Sequence, residues 1–137
     1  MSRSSFTRLP AALEREWLVT NGLGGFASGT IALANTRRSH ALLVTALRPP
    51  LERTVLVAKV DITARCGDDL FALACNEFAD GAIAPRGFEL LEDFRLDHGI
   101  PVWTYALKDA RLEQRVWMQR GYTTSGLSLT AGQWACV

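Results

Sequence analysis

Short apolar runs separated by turn residues recur at intervals of about ten positions along this chain, a spacing typical of consecutive β-strands. Residues 53–63 form the clearest predicted strand, with a second face that becomes polar at Lys59 and Asp61, and residues 112–118 alternate with charged residues on one face. Residues 18–20, 30–34 and 41–47 are apolar almost throughout, which favours strands that are covered on both faces.

Two short segments have a helical pattern instead, residues 10–16 with a proline in the first turn and residues 88–94. Neither is long enough to connect parallel strands. The sequence therefore predicts an all-β fold, an antiparallel β-sandwich. We expect a tail at residues 1–12 and one domain at residues 13–137.

The composition fits such a domain and excludes several other classes of protein. The chain has 137 residues, 48% of them hydrophobic and 21% charged, with a net charge of +1. This charge gives no reason to expect nucleic acid as a partner, and no apolar run approaches the ~20 residues of a membrane span. Three cysteines without C-x-x-C spacing predict free thiols rather than a metal site. We expect no cofactor, no metal and a cytoplasmic location.

The segment EWLVTNGLGGFASGT, residues 16–30, contains glycines at positions 22, 24, 25 and 29. Its G-x-G-x-x-A spacing matches the dinucleotide fingerprint, but that motif requires a helix after the glycines and an acidic residue about twenty positions later. Neither follows here. A tight turn between two strands is the better interpretation, with glycines where the backbone needs positive φ or a close approach.

A compact polar segment, Asn35-Thr36-Arg37-Arg38-Ser39-His40, lies between two apolar runs. One interpretation is a solvated strand end with surface ion pairs. The other is a surface that meets a second domain or a sugar, because planar guanidinium groups suit carboxylates and hydroxyl groups. The spacing alone leaves both interpretations open.

Hydrolysis of a glycosidic bond normally requires a pair of flanking carboxyl groups. The fourteen acidic residues lie in turns or on polar faces, so the sequence predicts no catalytic residue. Trp103 and Tyr105 share a strand face and could stack on a sugar, but filling the core is the favoured role for large aromatic residues in a sandwich.

Residues 16–30 and 35–43 together resemble the opening of bacterial and archaeal-type glycogen debranching enzymes (amylo-α-1,6-glucosidases), and residues 94–105 resemble them more weakly. The resemblance implies a β-supersandwich as in glucoamylase-like enzymes. It also implies a non-catalytic N-terminal domain that packs on a catalytic (α/α)6 barrel and shapes its active-site rim, with the barrel and α-glucan (glycogen) as partners. The implied substrate-binding or interface residues are Asn21, Gly24, Gly25, Asn35, Arg37, Arg38 and His40.

The chain departs from the family pattern at two positions, Leu33 where glycine is common and Ser39 where tyrosine is usual. The barrel is absent from the sequence, and the ending SGLSLTAGQWACV leads us to expect a sandwich truncated at its C-terminal side, with an unpaired edge. Two alternatives to the debranching-enzyme domain remain open at this point. One is a free-standing carbohydrate-binding module, and the other is a truncated, non-functional remnant.

Overall fold

The computed structural model of the chain describes residues 9–49, 51–108 and 110–132. One short helix, α1 (Leu9–Glu14), precedes twelve strands. The strands are β1 (Glu16–Thr20), β2 (Phe26–Thr30), β3 (Ala41–Arg48), β4 (Leu51–Val57), β5 (Thr63–Cys66), β6 (Asp69–Ala72), β7 (Cys75–Glu77), β8 (Ile83–Arg86), β9 (Leu91–Asp97), β10 (Ile100–Ala106), β11 (Arg111–Met118) and β12 (Ser125–Gly132). A 3-10 turn at Gly87–Leu90 leads into β9.

The strands form two four-stranded antiparallel sheets, which confirms the predicted all-β class. The first sheet has the order β1-β2-β3-β4, and the second has the order β12-β11-β10-β9. Two hairpins, β5-β6 and β7-β8, connect the sheets along the chain. Each sheet is a simple meander, because neighbours in sequence are also neighbours in space. No helix in the described part of the chain has the length and apolarity that crossing a membrane requires.

An aromatic cluster between the two sheets forms the centre of the core. The rings of Trp17 on β1 and Phe94 on β9 both meet Trp103 on β10 edge-to-face, at centroid distances of 5.3 and 5.2 Å. Trp103 is fully buried, and its indole Nε1 donates a 2.9 Å hydrogen bond to the carbonyl oxygen of Ile31. This residue therefore joins the sheets by ring packing and by a satisfied polar group, as a buried tryptophan requires.

The prediction of a strand at residues 30–34 was wrong, because β2 ends at Thr30. The hydroxyl of Thr30 donates to the carbonyl oxygen of Ala34 at 2.7 Å and accepts its N–H at 3.1 Å, which closes a turn. Leu33 in this turn has a φ of 62°, a conformation that glycine adopts far more readily. The run is apolar because it is buried at the end of the sandwich, not because it is a strand.

The predicted strand at residues 53–63 is interrupted, since β4 ends at Val57 and β5 begins at Thr63. Between them, the carbonyl oxygen of Ala58 accepts hydrogen bonds from the backbone of Leu42 and from the side chain of Asn35. The ammonium group of Lys59 binds the carbonyl oxygen of Cys75. Residues 53–56 are all exposed, so the burial of one face that an alternating strand predicts is absent along β4.

The helical pattern at residues 88–94 was also misleading, since only the 3-10 turn is helical and β9 begins at Leu91. The spacing of Leu91 and Phe94 resembles one turn of a helix. A β-bulge between Thr104 and Tyr105 shifts the register, so that Leu91 and Phe94 both face the core from the same strand. By contrast, the predicted alternation of residues 112–118 is confirmed in β11.

Candidate functional site

The outer face of the first sheet is concave and forms an open groove of about 640 Å³. Directly opposite residues in antiparallel strands share a face, and Leu18 pairs with Ser28 while Thr20 pairs with Phe26. Since Trp17 and Ala27 point into the core, these four neighbours point outward. The groove is lined by Glu16, Leu18, Thr20, Phe26, Ser28, Ser39 and Arg53, together with the glycines of the turn between β1 and β2.

Asn21 organises the glycine turn at one end of the groove. Its buried side-chain oxygen Oδ1 accepts the backbone N–H groups of Leu23 at 2.8 Å and Gly25 at 3.0 Å. Its Nδ2 donates to the carbonyl oxygen of Tyr122, in the turn between β11 and β12, and its own carbonyl oxygen accepts the N–H of Gly121. The predicted site residue Asn21 thus fixes the turn and ties it to the second sheet.

The glycines of this turn meet two different physical requirements. Gly24 has a φ of 87°, which side-chain-bearing residues rarely adopt. At Gly25 the limit is space, because a Cβ there would lie 2.9 Å from the carbonyl oxygen of Val44 and closer still to the Asn21 amide. The carbonyl oxygen of Gly24 accepts a 3.0 Å hydrogen bond from Arg53 Nε, and the Arg53 guanidinium lies 5.7 Å from the ring centre of Phe26.

His40 holds the polar loop at the other end of the groove. Its side chain is 1% exposed, and its Nδ1 accepts the backbone N–H groups of Thr36 at 2.9 Å and Arg37 at 3.1 Å. The proton of the neutral ring is therefore on Nε2. Nε2 lies 3.2 Å from Glu16 Oε1 but is not aligned with it for a hydrogen bond. The carboxylate of Glu16 also meets Arg37, at 2.7 Å from Nε.

The remaining predicted residues of the loop lie on the surface. Arg37 is 68% exposed despite its ion pair with Glu16. Arg38 is exposed and forms no ion pair with any residue that the structure describes. Asn35 is exposed as well and donates to the carbonyl oxygen of Ala58. The seven predicted site residues therefore fall into two groups, one in the glycine turn, where Gly24 and Gly25 line the groove, and one in the polar loop, whose only groove-lining residue within the described chain is Ser39.

The comparison with protein families covers most of the chain. The family described as the N-terminal domain of glycogen debranching enzyme matches residues 15–131, which include both groups and the whole groove. The chain belongs to this family. A search of curated proteins and a search of solved structures found no match.

Several groove residues of this debranching-enzyme domain were missed by the sequence analysis. Glu16 is the first residue of β1, and the proximity of its carboxylate to Arg37 and His40 depends on the path of the loop that returns after β2. Arg53 is distant in sequence from Gly24 and meets it only through the pairing of β3 with β4. The sequence does contain a signal for Glu16. Every second residue of a strand lies on the same face, so Glu16 is expected on the face that carries Leu18 and Thr20.

The aromatic residues contribute little to this site. Trp103 and Tyr105 are fully buried, which confirms that they fill the core of the debranching-enzyme domain. Trp17 is also a core residue and contributes only part of its ring to the groove wall. Trp117 lies on the second sheet beside Gly126, and Trp134 lies outside the described residues.

The outer face of the second sheet carries a network of ion pairs. Arg115 lies 2.8 Å from Asp97 and 2.9 Å from Glu113, and Arg95 lies 3.1 Å from the other oxygen of Glu113. Hydrogen bonds from Arg115 and His98 lower the pKa of Asp97. Partial burial alone would raise the pKa of Glu113, but hydrogen bonds from Arg95 and Arg115 outweigh it and lower that pKa.

Proposed function

We propose that the chain serves as the non-catalytic domain of a debranching enzyme that hydrolyses α-1,6-glucosidic branch points in glycogen. In this proposal the domain packs on a catalytic (α/α)6 barrel, and the loop at residues 35–40 helps to shape the rim of the active site. The proposal includes α-glucan as the substrate and the cytoplasm as the location. The thiol of Cys66 forms no disulfide within the described residues, which fits a reducing compartment.

The observation that carries the proposal is the preorganised loop. The buried imidazole of His40 fixes the backbone at Thr36 and Arg37, while the guanidinium groups of Arg37 and Arg38 remain exposed. A surface arginine on a mobile chain loses side-chain and backbone entropy on binding, and a fixed loop reduces that loss. Two guanidinium groups on a fixed backbone suit the carboxylates of a partner domain or the hydroxyl groups of a sugar.

The acid–base chemistry is assigned to the barrel rather than to this domain. A general acid must hold a proton near neutral pH, which requires a raised pKa. Asp97 and Glu113 have lowered pKa values and are paired with arginines. Glu16 is held by Arg37. We therefore expect the chain alone to release no glucose from a branched dextrin.

Mixing the chain with the separately produced catalytic barrel of a family member tests the proposal. Association is measured by analytical ultracentrifugation, and glucose release from a branched dextrin is measured in parallel. We expect the double variant Arg37→Ala/Arg38→Ala to weaken association about tenfold or more, and the matched variant Arg48→Ala/Arg65→Ala, which removes two exposed arginines elsewhere, to leave it unchanged. No association at micromolar concentrations, or equal affinity for all three proteins, would contradict the proposal.

A further inference from the structure

The groove on the first sheet combines the features of a small-ligand site. Its volume of about 640 Å³ lies within the range of about 300–1,000 Å³ typical of ligand pockets. Leu18 is 60% exposed and, with Phe26, forms an apolar floor. The hydroxyl groups of Thr20, Ser28 and Ser39 surround this floor. An apolar floor with a few converging polar groups matches a ligand that has both apolar faces and many hydroxyl groups.

The carboxylate of Glu16 supplies the charged group at one end of the groove. Its Oε1 lies 2.7 Å from Arg37 Nε and 3.2 Å from His40 Nε2. Arg37 therefore holds the Glu16 carboxylate in place, and a carboxylate has more acceptor sites than these two contacts use. The Nε2 of His40 is buried beside this carboxylate and does not line the groove, so a ligand in the groove would meet Glu16 and not His40.

We propose that this groove binds an α-glucan chain, with Glu16 accepting hydrogen bonds from sugar hydroxyl groups and Leu18 and Phe26 contacting the apolar face of a glucose ring. The choice of α-glucan among polyhydroxyl ligands rests on the proposed function. The site is distinct from the exposed arginines of the loop, because it uses the outward-facing residues of β1 and β2.

A sugar fits the groove better than a polypeptide surface does. The groove is open to solvent and is lined by Glu16 and by the glycine turn, where Arg53 is already hydrogen-bonded to the carbonyl oxygen of Gly24. The polar groups that remain are hydroxyls and the Glu16 carboxylate. The hydroxyls of Thr20 and Ser39 can donate to or accept from sugar hydroxyls, whereas the carboxylate only accepts, as does the Ser28 hydroxyl, which already donates to the carbonyl oxygen of Ser39.

Isothermal titration of the complete chain with maltoheptaose, a linear α-1,4 glucan, tests the inference. We expect a dissociation constant of about 1 mM or lower, and no measurable binding of cellohexaose, whose β-1,4 links give a straight chain. Backbone amide shifts in an NMR titration should be confined to β1, β2 and residues 39–40. Glu16→Gln should weaken binding about tenfold, because the charged acceptor becomes neutral.

Matched variants separate the groove from the rest of the surface. Leu18→Ser should weaken binding several-fold, whereas Leu96→Ser, which alters an equally exposed leucine of β9, should not change it. Glu92→Gln, on the second sheet, is the control for Glu16→Gln. Ser39→Tyr should strengthen binding by about three- to tenfold, because it adds an aromatic ring at the groove wall.

The inference is overturned by an absence of maltoheptaose binding at millimolar concentrations, by equal binding of cellohexaose, or by binding that Glu16→Gln and Leu18→Ser leave unchanged. If the barrel associates with the chain but the glucan does not bind, the groove inference fails while the proposed function stands. If amide signals of the groove shift with the barrel and not with the glucan, the groove is a protein interface.

Discussion

The two sheets of this domain present outer faces of opposite character. On the second sheet, arginines on β9 and β11 neutralise the carboxylates of Asp97 and Glu113 across the strands. On the first sheet, Leu18 and Phe26 line an open groove together with the carboxylate of Glu16, which meets Arg37. A solvent-exposed face whose charged side chains pair with one another needs no binding partner. In the proposals above, the first sheet carries recognition and the second provides structure.

The shape of the first face depends on neutral, buried hydrogen bonds at Asn21. Among the substitutions considered below, we expect the removal of these bonds to lower the free energy of unfolding most. Asn21→Ala leaves the N–H groups of Leu23 and Gly25 without their acceptor and removes the bond to Tyr122. We expect a loss of about 2–3 kcal/mol in the free energy of unfolding, measured by urea denaturation. Asn35→Ala, which removes one exposed hydrogen bond, should lose less than about 1 kcal/mol.

If Asn21→Ala and Asn35→Ala have equal effects, Asn21 does not organise the turn. The groove would then depend on the strands alone, and the contrast between the two faces would be weaker than the structure indicates.

Glycine substitutions in the two sheets provide a second comparison. Gly25→Ala places a methyl group against the carbonyl oxygen of Val44 and the Asn21 amide, and we expect it to destabilise the fold by about 2 kcal/mol. Gly99, in the hairpin between β9 and β10, has a φ of 83° and open space around it. Gly99→Ala should therefore lose about 1 kcal/mol, from backbone strain alone. Thermal denaturation of both variants measures the difference, and an unchanged midpoint for Gly25→Ala would show that the turn can adjust.

The sequence predicted the recognition face only in part, for a physical reason. The strands with clear periodicity, such as β11, and the polar loop at residues 35–40 could be identified from the order of residues alone. The groove could not, because Glu16 meets Arg37 and Arg53 meets Gly24 only after the strands pair in a particular register. His40 was expected on a surface with its neighbours, yet it is buried as the acceptor for two backbone N–H groups. Periodicity describes which side of a strand faces solvent, and it does not describe what lies across from it.

The charge network of the second face predicts that the stability of the fold depends on pH. The pKa values of Asp97 and Glu113 are lower in the folded chain than in the unfolded chain, so the unfolded state binds more protons in acid. Their contribution to stability is therefore complete at neutral pH and is lost as the pH falls below about 5.

Arg115→Ala should remove most of this dependence, because Arg115 contacts both carboxylates. Thermal midpoints of the two proteins should differ at pH 7 and converge towards pH 2, and Asn21→Ala should shift the midpoint by a similar amount at both values. If plots of thermal midpoint against pH are parallel for Arg115→Ala and the unaltered chain, these ion pairs are too solvated to contribute to stability.

The smallest expected effects belong to the arginines of the loop, and they distinguish a binding surface from internal structure. Arg38→Ala should change the free energy of unfolding by less than about 0.5 kcal/mol, since Arg38 is exposed and unpaired within the described residues. Arg37→Ala should lose less than about 1 kcal/mol, because its pair with Glu16 is exposed and His40 remains beside that carboxylate. Denaturation with urea measures both values. Losses above about 2 kcal/mol would show that these arginines support the fold as Arg115 does, and the division between a recognition face and a structural face would have to be abandoned.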